Sequence, residues 1–184
     1  MSKGIHYSVW VSPPPSSEIY QEISELITKA HTMNPHMTDA IFQPHITIVG
    51  SFMADSDEDA ITKAKKYSQK VTTGGFTVEF DAVPSAVEAD KWNMAVVYWI
   101  DDHNGDLLAL HQAFGAHTTD YTPHISLCYG NCSKSERVEI AKRMKESTTL
   151  EGRCYFHINS VELWKTEGGL DGVNGWSKIT TISL

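Results

Sequence analysis

The sequence predicts an α+β fold of two pseudo-symmetric lobes, each an antiparallel sheet flanked by helices, with a cleft between them. Three observations predict it. A seven-residue phrase occurs twice, as "FQPHITI" from Phe42 to Ile48 and as "YTPHISL" from Tyr121 to Leu127. Each copy stands within the same order of strand, helix, His-containing strand, helix and strand. And 184 residues, 41% of them hydrophobic, suit one domain with a packed core, with no Pro/Gly/Ser-rich linker between the halves. A duplicated unit of this length is not a solenoid repeat, which needs several shorter copies. The expected domain is the whole of residues 1–184, its lobes interleaved and drawn roughly from the first and second halves.

The elements follow from local pattern. "IHYSVWVS" alternates as a half-buried strand, with Ile5, Tyr7, Val9 and Val11 on one side and His6, Ser8 and Trp10 on the other. Pro13 to Pro15 end it, and Ser16 or Ser17 can cap a helix whose apolar stripe is Ile19, Ile23, Leu26, Ile27 and Ala30. "HITIVGSF" is the next strand. "DSDEDAITKAKKYSQK" is a helix with acids at its start and lysines toward its end, as the helix dipole favours. "FTVEFDAV" alternates as a third strand. In the second half "MAVVYWI" is a strand, "NGDLLALHQAFGAH" a helix and "HISLCYG" a strand. "SKSERVEIAKRMKE" is a helix opened by Ser133 and Glu136 in capping-box spacing. "YFHINSVELW" and "WSKITTISL" are the last two strands, with the Gly-rich "EGGLDGVNG" as a mobile loop between them.

Composition excludes several classes. A formal charge of −8 argues against a nucleic-acid duplex as a stable partner, because such binding is dominated by Lys and Arg on phosphates. The start "MSKGIHYSVW" lacks the apolar core of a signal peptide, and no run approaches the roughly 18 apolar residues of a membrane helix. Cys128, Cys132 and Cys154 are too few and odd in number for a disulfide framework. A soluble, monomeric, cytoplasmic protein is expected. The C-x₃-C spacing of Cys128 and Cys132 is a weak zinc signal, and no metal or other cofactor is expected.

The repeated phrase carries the chemistry. Residues i and i+2 of a strand share a face, so His45 and Thr47 project together, away from Ile46 and Ile48. His124 and Ser126 do the same against Ile125 and Leu127. Pro44 and Pro123 lack an N–H and belong at a strand's first position, near an opening. Pairing the lobes about a pseudo-twofold axis brings two imidazoles and two hydroxyls into one cleft. One imidazole can take a proton from water while the other gives one to a leaving oxygen, each worth typically about 10²–10⁴-fold. The hydroxyls of Thr47 and Ser126 can hold the non-bridging oxygens of a phosphate between them.

With these motifs the sequence resembles the two-histidine phosphoesterases, which carry one His-x-(Thr/Ser) motif per lobe. Within that superfamily it is most similar to the plant and fungal cyclic phosphodiesterases, through "YSVWVSP", "FQPHITI", "YTPHISLCYG", "LWKTEGG" and Trp176. The resemblance implies a two-lobed, metal-independent hydrolase acting on cyclic phosphates of vicinal ribose hydroxyls. Substrates implied are ADP-ribose 1″,2″-cyclic phosphate, a by-product of tRNA splicing, and nucleoside 2′,3′-cyclic phosphates. By motif position His45 and His124 become the acid–base pair and Thr47 and Ser126 the phosphate-binding hydroxyls. Trp10 and Tyr129 become substrate-flanking residues. Trp10 lies on its strand's polar side, where an exposed indole can stack on a base or ribose. Tyr129 is an odd number of residues from His124, so it reaches the same face only through a bulge or at the strand's end. Alternatives are a member acting on RNA ends or 2′-5′ linkages, and a non-catalytic nucleotide-binding module. Asp39 and Asp120, which precede the two histidines, are read as solvated loop acids. His6 borders Trp10's face, and His31, His36, His103, His111, His117 and His157 are read as surface or core residues.

Overall fold

A computed structural model describes residues 4–34, 36–38, 40–71, 74–88, 93–115 and 120–184, Leu170 by its backbone alone. Among them the chain runs β1 (Ile5–Val11), α1 (Glu18–Ala30), β2 (Ile46–Ala54), α2 (Asp57–Ser68), β3 (Phe76–Asp81), β4 (Ser85–Ala86) and β5 (Met94–Asp101). It continues through α3 (Asp106–Ala113), β6 (His124–Tyr129), α4 (Lys134–Ser147), β7 (Arg153–Ile158), β8 (Ser160–Lys165), a 3₁₀ helix (Gly169–Gly175) and β9 (Ser177–Ser183). No described helix is long and apolar enough to cross a membrane.

The helices begin where side chains can satisfy their open N–H groups. Ser17 accepts from Tyr20 N, Ser56 from Asp59 N, and Ser133 with Glu136 forms the full capping box. Gly105 offers α3 no side chain, and the Asp102 carboxylate takes its place, accepting from Leu107 N and Leu108 N. The Gly-rich stretch expected as a loop is instead a 3₁₀ helix pinned to the core by Val173.

All strands join one sheet in the order β7-β3-β5-β6-β2-β1-β8-β9, with β4 paired to β5. Every pairing is antiparallel, and β2 and β6, the two His-bearing strands, meet at its centre. The two lobes exchange strands across the midpoint of the sequence. β3 leaves the first half to pair with β5 and β7, while β8 and β9 return to extend β1. The helices exchange too: α1 packs on β6 and α4, and α3 on β2 and α2.

"YFHINSVELW" is likewise two strands, broken at Asn159. The burial shows why. Cys154, Phe156 and Ile158 are buried on one side of the break and Val161 and Leu163 on the other, so the alternation slips by one residue at Asn159. This single residue joins strands six positions apart in the sheet. On a flat sheet that gap is about 29 Å, so the sheet must curl until its ends approach one another. One continuous core fills the curl, with Ile46, Ile48, Ile125, Leu127, Val9 and Val96 at its centre. Burying each such side chain stabilises the fold by about 1.5–3 kcal/mol.

One glycine is needed for close approach. Gly130 follows β6 and bridges to Met37, where a Cβ would lie 2.5 Å from the His36 carbonyl oxygen. The segment leading into the first phrase is thereby laid over the end of the second.

Candidate active site

β2 and β6 touch through one residue pair, Ile46 with Ile125. Both isoleucines are fully buried, so the residues flanking each point to the other face. The antiparallel register sets His45 across from Ser126 and Thr47 across from His124. Opposed residues lie about 4.5–5.5 Å apart and diagonal ones about 7–8 Å. The imidazoles therefore occupy two diagonal corners of a four-residue patch and the hydroxyls the other two.

Each imidazole is held in the same way. His45 Nδ1 lies 2.7 Å from the Gln43 carbonyl oxygen, and His124 Nδ1 lies 2.8 Å from that of Thr122. A carbonyl only accepts, so Nδ1 carries the proton and Nε2 keeps the lone pair. The acceptors precede Pro44 and Pro123. A residue before proline is confined to extended backbone, which fixes the direction of its carbonyl. The prolines of the phrase thus set both the tautomer and the ring orientation.

The surroundings of the two rings differ. His45 is 7% exposed, stacked on Trp10 at 3.8 Å between ring centres and 16° between planes, with Phe42 edge-on at 6.1 Å. Burial pushes its pKa down to about 4, against the opposing Gln43 hydrogen bond. The nearby charge of His124 adds to the lowering, and Glu162 opposes it. His45 is accordingly neutral at pH 7. His124 is only half-buried and meets Trp99 at 5.8 Å and 68°.

Both phrases contain a β-bulge at the same position. Val9 and Trp10 oppose Val49 and Thr47, leaving Ile48 as the extra residue, and Val96 and Val97 oppose Cys128 and Ser126, leaving Leu127. The second bulge brings Tyr129 round to the Ser126 side, where its hydroxyl donates to Ser126 Oγ at 2.9 Å. With a lone pair of Ser126 so engaged, its own proton points to Met94 Sδ at 3.8 Å, a weak acceptor that a phosphate oxygen can displace. Trp10 departs from its expectation as an exposed ring. It is 3% exposed, with His45 on one face, Trp164 on the other at 4.5 Å and Trp176 at its edge. Its place is that of a wall behind His45.

The aromatic residue of each phrase ties one lobe to the other. Phe42 packs edge-on against Tyr129 at 5.2 Å. Tyr121 donates its hydroxyl to the Thr47 carbonyl at 2.9 Å and stacks on His111 at 4.1 Å. His111 Nδ1 in turn donates to the Ile48 carbonyl at 2.6 Å, so two side chains hold the first bulge. A cavity of about 490 Å³ opens beside Thr47 and His124, walled by Trp99, Tyr121, Val87 and Met94.

Sequence reasoning missed Trp99 and His111. Their only signal is position, on the site face of β5 and on the inner face of α3. Asp120 lines the cavity rim, while Asp39 and His117 lie outside the described residues. His6 Nδ1 meets Ser51 Oγ at 2.8 Å, outside the cavity wall. All three cysteines are buried and free, and burial pushes the Cys128 thiol up to about 12. Among the described residues no cluster of three or more His, Cys, Asp or Glu could hold a metal ion.

The curled sheet and its paired His-x-(Thr/Ser) strands define a two-histidine phosphoesterase. The chain belongs to the 2′-5′ RNA ligase superfamily, whose sequence pattern matches residues 39–170. It is 23% identical to a cyclic phosphodiesterase of Arabidopsis thaliana, over 97% of this chain and 94% of that protein. Two solved structures show the same fold at low identity. Escherichia coli LigT complexed with NADP+ has a TM-score of 0.53 at 14% identity, covering 100% of this chain and 99% of its own. Kluyveromyces marxianus Usb1 with uridine monophosphate has a TM-score of 0.56 at 12%, covering 100% of both.

Proposed function

We propose that the protein is a monomeric, cytoplasmic cyclic phosphodiesterase that acts without a metal ion. Its substrates are ADP-ribose 1″,2″-cyclic phosphate, nucleoside 2′,3′-cyclic phosphates or both, opened to the 1″- or 2′-phosphomonoester. The observation that carries this reading is the four-residue patch, with both imidazoles held by Nδ1 so that Nε2 is the working nitrogen. Phosphate oxygens are received by the hydroxyls of Thr47 and Ser126.

Water attacks phosphorus, losing a proton to one imidazole, while the bond to one ribose oxygen breaks and that oxygen takes a proton from the other imidazole. Water is added and no redox partner is needed. His45, neutral and enclosed, is the base, and His124, beside the cavity, is the acid on the leaving oxygen's side. An in-line geometry needs the two on opposite sides of phosphorus, which the diagonal placement supplies.

The test is incubation with EDTA present, using ADP-ribose 1″,2″-cyclic phosphate and the four nucleoside 2′,3′-cyclic phosphates, with His45→Ala and His124→Ala beside the native protein. Turnover to the monoester, lost in both variants, supports the reading. Nucleotide binding without turnover would leave a non-catalytic binding module. Faster cleavage of an oligonucleotide than of a mononucleotide would shift the reading to an RNA-end enzyme, against which the charge of −8 speaks.

A further inference from the structure

We infer that Trp99 is a specificity-determining residue, the platform on which the nucleobase of the substrate stacks; this deepens the proposed activity at the same site. Trp99 stands directly across β5–β6 from His124, one strand spacing from a catalytic imidazole. Its neighbours Tyr98 and Ile100 are buried in the core, so Trp99 faces the cleft, and it is 39% exposed. Part of its indole is open to water at the cleft, where an amphipathic ring can receive a flat group. Among the described residues no ring stacks on it, in contrast to Trp10, whose two faces are covered by His45 and Trp164.

The pseudo-symmetry sharpens the point. The register that pairs Val11 with Ile46 sets Ser12 opposite His45, where the second lobe has Trp99 opposite His124. The His124 side therefore carries both an open aromatic face and a cavity. Among the described residues that line the cavity there is no Lys or Arg, while Glu88 and Asp120 are present. Such a wall receives a neutral flat group better than a second phosphate. With phosphorus held at the patch, the base lies a sugar's breadth away, over Trp99.

Base–aromatic stacking is worth about 5- to 150-fold in affinity. The test is calorimetric binding of adenosine 2′-monophosphate and of inorganic phosphate to the native protein, Trp99→Ala and Trp99→Phe. Trp99→Ala is expected to weaken the nucleotide by about 5- to 150-fold and phosphate by less than about twofold, with Trp99→Phe recovering most of the loss. Equal losses for both ligands, no loss for the nucleotide, or a Phe variant no better than Ala would each overturn the inference. So would a native protein that binds the nucleotide no better than phosphate. Because a product needs no turnover to bind, failure of the cyclic phosphodiesterase reading would be seen separately.

Discussion

Acidification should strike this protein first at His45, and the size of the effect can be worked out. Burial holds the folded-state pKa at about 4, whereas an unfolded histidine titrates near 6.5. Between those values the unfolded chain binds a proton that the folded chain refuses, so stability falls as the pH drops. At pH 7 the penalty is negligible. At pH 5 the unfolded imidazole is almost fully protonated and the folded one about a tenth, giving a loss of about 2 kcal/mol. At pH 4 it approaches about 3 kcal/mol. Other groups titrate as well, so the measurement is a comparison. Urea unfolding of the native protein and of His45→Asn at pH 7 and pH 5 should show the native protein losing about 2 kcal/mol more than the variant. NMR of the His45 ring should show a midpoint near pH 4. A midpoint near the unperturbed value, or parallel losses in the two proteins, would refute the account of an enclosed, neutral imidazole.

Three other perturbations follow from the same geometry. As the base, His45 must be neutral, so kcat/KM should fall with decreasing pH only as it passes through about 4; an acid limb near pH 6.5 would exchange the two roles. Tyr121→Phe removes the hydrogen bond to the Thr47 carbonyl and should cost about 1 kcal/mol of stability, with a larger fall in kcat than in thermal stability would suggest, read by steady-state kinetics beside a melt. Gly130→Ala drives a methyl group into the His36 carbonyl and Met37 and should destabilise by about 1–3 kcal/mol, read as a lowered urea midpoint.

The four residues of the patch were legible because the phrase is repeated. One His-x-Thr in a strand says little, but two in matching strands fix a shared face, and antiparallel pairing does the rest. The elements themselves were readable from alternation, helical stripes and capping serines. Partner choice was not, since β3 and β8 carry nothing local to say which neighbour they will take. The bulges were hidden because Ile48 and Leu127 look like ordinary members of an alternating strand. Only Tyr129's wrong parity hinted at one. Trp10 misled for the related reason that a polar-side position does not reveal that Trp164, from a distant strand, will close over it. His111 offered only its place on the inner face of α3, because its hydrogen-bond partner is a backbone carbonyl.

The one-residue link at Asn159 has a mechanical result. The lobes are hydrogen-bonded to each other at β2–β6 and covalently strapped at β7–β8 on the far side of the curl. A body fastened front and back cannot swing open like a jaw. The gap between His45 and His124 is then a fixed gauge, set by the width of two strands rather than by the closing of a hinge. A phosphate held between the two imidazoles would meet them already spaced, with no lobe closure needed to bring them together.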